Sequence, residues 1–104
     1  MIQQVVITTP NNPSGKVWSR TDIERVVSIC KKAGSWLVVD QTYCEFTYDG
    51  SRHFYPCSKE LGYNRIIHVF SFSKNFGMPG DERRMPGIHR INRYTSFIFC
   101  FCNI

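Results

Sequence analysis

An α/β fold is predicted here, part of a three-layer sandwich around a mainly parallel sheet. Three observations lead to it. Two short apolar runs rich in β-branched residues, QQVVIT at 3–8 and WLVV at 36–39, flank a segment of helical periodicity. A third such run, IIHVFS, occupies 66–71. All three are continuously apolar rather than alternating, the pattern of strands covered on both faces. With 104 residues, 42% of them hydrophobic, the chain has room for one globular domain at most.

The elements follow in order. The first strand is halted by Pro10, and Pro10-Asn11-Asn12-Pro13-Ser14-Gly15 is a run of turn formers that continues neither strand nor helix. Ser19 is a good helix N-cap, with Asp22 in the capping-box position. Ile23, Val26, Val27 and Cys30 then recur at the spacing of one helical face. Lys31 and Lys32 suit the negative end of the helix dipole, and Gly34 is the stop signal. The second strand ends abruptly at Asp40. Strand, helix and strand in about 40 residues make a βαβ unit, whose strands run parallel. Residues 41–65 read as a long loop with a turn at Tyr48-Asp49-Gly50 and room for a short helix, and the third strand stops at Ser73-Lys74. Composition changes after Gly80, so the domain reading is 1–80 for the α/β segment and 81–104 for an unrelated tail.

In a parallel α/β sheet, ligands sit at the carboxyl ends of the strands. Each strand here ends in chemically capable residues: Asn12 after the first, Asp40 after the second, Ser71, Ser73 and Lys74 after the third. Neighbouring strands would bring these groups to one crevice. A lysine there can condense with an aldehyde cofactor once its amine is partly deprotonated. A carboxylate opposite can hold a pyridine nitrogen protonated and make the ring an electron sink. Asn and Tyr side chains can bind a phenolic oxygen, and serine hydroxyls a phosphate. Taken singly, each residue has a plainer role as a turn former, packing group or solvated charge.

Three ordered motifs resemble fold-type I pyridoxal-phosphate-dependent aminotransferases of class I/II. They are Pro-Asn-Asn-Pro-Ser-Gly at 10–15, Asp40-Gln41-Thr42-Tyr43, and Ser71-Phe72-Ser73-Lys74-Asn75-Phe76-Gly77-Met78-Pro79-Gly80. Asn12 and Asp40 lie 28 residues apart, and Asp40 and Lys74 lie 34 apart, also as in the family. The resemblance implies a piece of the large domain and transamination between an amino acid and a 2-oxo acid, with pyridoxal 5'-phosphate as cofactor. It implies that Lys74 bonds to the cofactor and carries the proton, that Asp40 pairs with the ring nitrogen, and that Asn12 and Tyr43 bind the ring oxygen. Ser71 and Ser73 would contact the phosphate. A homodimer is expected of the intact enzyme.

The resemblance ends at Gly80. The family's phosphate-binding arginine is expected eight positions after Lys74, where Glu82 stands beside Asp81, and two carboxylates repel a phosphate dianion. A truncated or alternatively spliced product is therefore expected, with a catalytically inactive fragment or interaction piece as the alternative function. Three strands and one helix with uncovered edges are expected to fold weakly.

Other classes are excluded on composition. The net charge of +5 includes no dense basic stripe, so no nucleic-acid partner is expected. The apolar TSFIFCFC run at 95–102 is too short to span a bilayer, which takes about 20 residues, and its Phe97–Phe101 stripe reads instead as a packing strand or a sticky unfolded end. The five cysteines fit no zinc spacing, and His53, His68 and His89 are too scattered for a metal site. A reducing compartment, by default the cytoplasm, is expected from the absence of a disulfide framework.

Overall fold

The computed structural model describes residues 3–56, 58–71, 74–75, 91–92 and 95–99. Its sheet has the order β1 (Gln4–Thr8), β2 (Trp36–Asp40), β3 (Ile66–Phe70), β5 (Thr95–Phe99), β4 (Ile91–Asn92). Strands β1, β2, β3 and β5 run parallel to one another, and β4 is antiparallel to β5. The mainly parallel α/β reading holds. The apolar run in the tail supplies β5, so the third strand expected from sequence is not an edge.

Helix α1 (Arg20–Ala33) forms where its caps direct. The Ser19 hydroxyl oxygen accepts from the Asp22 backbone N–H at 3.2 Å, and its proton goes to the Asp22 carboxylate at 2.7 Å. That hydroxyl donor, followed by smaller contributions from the backbone and from nearby cations, holds the Asp22 carboxyl below its ordinary value. Gly34 takes a left-handed φ of 65°, the conformation that ends the helix at little cost for a residue without Cβ. The Ser35 N–H then closes on the Cys30 carbonyl at 3.0 Å.

The inward face of α1 is Ile23, Val27 and Cys30, with Val26 only partly buried. These pack on Ile7, Leu37, Val39 and Ile66 from the sheet and on Tyr63 from the loop after the short helix α2 (Ser58–Leu61). The Tyr63 hydroxyl reaches the carbonyls of Cys30 and Ser35, so a buried polar tip is satisfied where helix hands over to strand. Turn Tyr48–Ser51 has Asp49 at φ 57° and Gly50 at φ 73°, a pair of left-handed residues that Asp and Gly tolerate best.

The expectation of burial on both faces is corrected. Burial alternates along β1 and β2, with Ile7, Leu37 and Val39 buried while Val6 is 59% and Trp36 40% exposed. The physical reason is the pleat: alternate residues point to opposite faces, and α1 packs on only one of them. The exposed face carries apolar side chains, as a two-sided parallel sheet would.

The ranking of α1 contacts is testable by unfolding the chain in denaturant. Ile23→Ala, which empties a fully buried site on α1, is expected to cost about 2–5 kcal/mol. Ser19→Ala, which removes the cap, is expected to cost about 1 kcal/mol.

Candidate active site

Register decides what meets at the carboxyl edge. Thr8 pairs with Asp40, and Asp40 pairs with Val69, so β1, β2 and β3 end at nearly one level. Beyond that level the ladder continues for one more rung, with Thr9 N–H on the Asp40 carbonyl at 2.9 Å and Gln41 N–H on the Val69 carbonyl at 2.8 Å. The loops carrying Asn12, Tyr43 and Lys74 all leave from this edge.

The first loop is closed on itself. Asn11 donates its N–H to the Lys16 carbonyl at 2.9 Å, accepts the Gly15 N–H on its own carbonyl at 2.7 Å, and takes the Ser14 hydroxyl on its side chain at 2.7 Å. Gly15 supplies the left-handed φ of 71° that this closure requires. The Thr9–Pro10 and Asn12–Pro13 peptides are cis. Asn12 is held exposed at the tip, and its Nδ2 donates to the Tyr43 hydroxyl oxygen at 3.1 Å. That bond spans 31 residues of sequence and is the direct link between the first and second loops. It leaves the Tyr43 O–H proton available to another acceptor. Pro10, Asn11, Asn12, Pro13, Gly15, Tyr43, Phe46 and Tyr48 line an open cleft of about 210 Å3.

Asp40 ends β2 half-buried. Its Oδ1 accepts from both the Thr42 N–H at 3.0 Å and the Thr42 hydroxyl at 2.6 Å, fixing the carboxylate plane by a local turn. Its Oδ2 has no hydrogen bond among the described residues. The Tyr43 ring is steadied edge-to-face by Phe46, with centroids 5.9 Å apart. After β3, Ser71 is buried and starts a helical turn: its hydroxyl oxygen accepts the Lys74 N–H at 3.4 Å and its carbonyl the Asn75 N–H at 3.1 Å. Lys74 is half-buried there. Ser73 and Glu82, both singled out from sequence, lie outside the described residues.

Sequence reasoning missed a second layer behind this edge. Gln41, fully buried, stands between His68 and His53 with 2.8 Å to each ring. Its position directly after the strand-end Asp40 was a faint signal, and His68 is buried in β3. Burial pushes the titration of both rings below the ordinary histidine value, while the Glu45 carboxylate pulls His53 partly back. Cys30 and Cys44 are free, buried thiols that burial pushes up, so neither is a ready nucleophile. No cluster of metal-ligating side chains occurs among the described residues, and none of their helices is long and apolar enough to cross a membrane.

The depressed histidines make stability pH-dependent. The unfolded chain binds protons at these rings below about pH 6.5, before the folded chain does. Stability is therefore full above that pH and falls as the pH drops toward the lower folded-state values. Thermal unfolding across pH 8 to 5 should show the loss. His68→Gln should flatten it.

Comparison with known proteins agrees with this geometry. The family described as aminotransferase class I and II matches residues 2–82. Aromatic aminotransferase ISS1 of Arabidopsis thaliana is 46% identical over 76 residues, covering 73% of this chain and 18% of that protein. Human kynurenine–oxoglutarate transaminase 1 is 36% identical over the same share of each. Among solved structures, a PLP-bound C-S lyase from Staphylococcus hominis superposes with a TM-score of 0.64 at 32% identity, covering 73% of this chain and 19% of that one. The aromatic aminotransferase of Pyrococcus horikoshii superposes at 0.65 with 29% identity, covering 75% and 21%. The chain thus spans about a fifth of the length of the relatives it matches. With its three strand-end motifs in one parallel sheet, this chain belongs to the class I and II aminotransferase family.

Proposed function

We propose that these residues form the cofactor-binding edge of a pyridoxal-phosphate-dependent aminotransferase that moves an amino group between an amino acid and a 2-oxo acid. The observation that carries the reading is the Asn12–Tyr43 hydrogen bond at the same sheet edge as Asp40 and Lys74. The donor set fits the cofactor. An amine, a carboxylate oxygen without a partner among the described residues, a phenol with an available proton and an amide stand at the ends of adjacent loops.

When bound, the cofactor supplies an aldehyde carbon and a pyridine ring that accepts an electron pair. Lys74 would hold the aldehyde carbon, and its amine, once freed, would take a proton from the substrate carbon and return it to the cofactor side. Asp40 would keep the ring nitrogen protonated through Oδ2, because Thr42 already holds Oδ1. Tyr43 would donate to the ring oxygen while Asn12 donates to Tyr43, so one orients the other. Ser71, whose oxygen takes the Lys74 N–H, keeps its proton to donate to the phosphate. Ser73 is proposed as a second phosphate contact. The relatives' names point to aromatic amino acids and kynurenine as the substrate class.

A second reading, an inherited edge without turnover or an interaction piece, is favoured by the exposed apolar residues Val6 and Trp36. One experiment separates the two. The chain is mixed with pyridoxal phosphate and its absorbance followed, with Lys74→Ala as control. A band lost in Lys74→Ala, and changed on adding an aromatic amino acid, is expected of the first reading. No Lys74-dependent band rejects it and leaves the second. Tyr43→Phe and Asn12→Ala are expected to weaken cofactor binding roughly 10-fold each, since each removes one hydrogen bond of about 1.4 kcal/mol or so.

A further inference from the structure

Behind the cofactor-facing loops, one residue uses every polar atom it has. Gln41 is fully buried at the first position after β2. Its backbone N–H goes to the Val69 carbonyl of β3 at 2.8 Å, and its carbonyl takes the Cys44 N–H at 3.0 Å, closing the turn that carries Tyr43. Its side-chain Nε2 lies 2.8 Å from His68 Nδ1, and its Oε1 lies 2.8 Å from His53 Nε2. The residue thereby joins β3, the Tyr43 turn and the 51–56 loop.

The chemistry of the amide fixes both rings. An amide nitrogen only donates, so His68 Nδ1 must accept, and the neutral ring carries its proton on Nε2. An amide oxygen only accepts, so His53 Nε2 must donate, which leaves Nδ1 of that ring bare. Nδ1 of His53 is buried and has no hydrogen-bond partner among the described residues. A proton arriving on His68 Nδ1 would face the amide N–H. A proton arriving on His53 Nδ1 would be a buried donor without an acceptor, a costly state. The titratable groups against His53 are Tyr55, whose ring packs edge-on with centroids 4.4 Å apart, and the Glu45 carboxylate. His68 stacks on Phe70, and its register partners Val39 and Phe97 are uncharged.

We propose that Gln41 is a positioning residue for the strand-end turn, holding Asp40 and Tyr43 in place through two neutral histidines, His53 and His68. What the turn presents rests on the aminotransferase reading, but the latch does not. While both rings are neutral the turn is tied to β3 and to the 51–56 loop. Protonating His68 at Nδ1 breaks its tie to Gln41, whereas protonating His53 keeps that ring's tie but buries a donor without an acceptor at Nδ1. In either case the turn is strained and the Tyr43 hydroxyl loses its fixed place beside Asn12.

The test uses the full chain without cofactor, with histidine ring nitrogens observed by NMR across pH 8 to 5. Both rings are expected as single Nε2–H tautomers, and Tyr43 ring resonances are expected to shift with the midpoint of the histidine titration. Gln41→Glu keeps the shape but offers two acceptor oxygens. It should draw a proton to His68 Nδ1 and move the His68 midpoint up by a unit or more, a 10-fold change in proton affinity. The Tyr43 transition should move with it. Gln41→Leu should free both rings to average tautomers.

Three results would overturn the proposal: rings that average tautomers in the unmodified chain, a Gln41→Glu chain indistinguishable from Gln41→Leu, or Tyr43 resonances indifferent to the histidine titration. Because none of these readouts involves pyridoxal phosphate, a missing Lys74-dependent band would count against the aminotransferase reading alone.

Discussion

The candidate site hangs from the parallel register of β1, β2 and β3. Parallel strands share one direction, so their loops emerge together, and the rungs Thr8–Asp40 and Asp40–Val69 set those exits level. A slip of one residue in β2 would exchange its two faces. Val39 and Leu37 would leave the core under α1, and the Asp40 carboxylate would turn away from the edge it shares with Tyr43. The hydrophobic contacts of Ile7, Leu37, Val39 and Ile66 with Ile23 and Val27 oppose that slip. The same burial that stabilises the fold therefore aims the polar groups, which is why packing and chemistry are not separable here.

Beyond the register, each exit is organised by its own short-range hydrogen bonds. Asn11 closes the first loop, Thr42 holds Asp40, and Ser71 starts the turn that carries Lys74. Local closure of this kind reduces what a bound cofactor must order, because the loops do not wait for a ligand to adopt their shape. Two contacts then connect loop to loop rather than loop to itself, the Asn12–Tyr43 bond and the histidine–glutamine chain. The first faces the cleft. The second lies behind it and is dry enough to depress both rings.

Legibility followed the range of the interaction. Helix α1 was readable from Ser19 to Gly34 because caps and periodicity act within a few residues, and the structure places its bounds at Arg20–Ala33. The three parallel strands were readable from apolar composition and their abrupt polar ends. The one-sided burial of β1 and β2 was not, since a continuous apolar run looks the same whether or not both faces are covered. The meeting of His53 and His68 on Gln41 was hidden for a different reason. It depends on contacts 12 and 27 residues apart and on which face of β3 His68 occupies.

By itself, the sequence determined the βαβ order, the capped helix, and the residue types at each strand end, because propensity, capping and strand termination are local physics. It also carried, in order, the family motifs that contain Asn12, Asp40 and Lys74. Tertiary structure alone decided the rest: that the Asn12 amide reaches the Tyr43 hydroxyl, that Gln41 is gripped by two imidazoles, and that β5 lies against β3. These are encounters between segments distant in the chain, and only the packed sheet brings them within hydrogen-bonding reach.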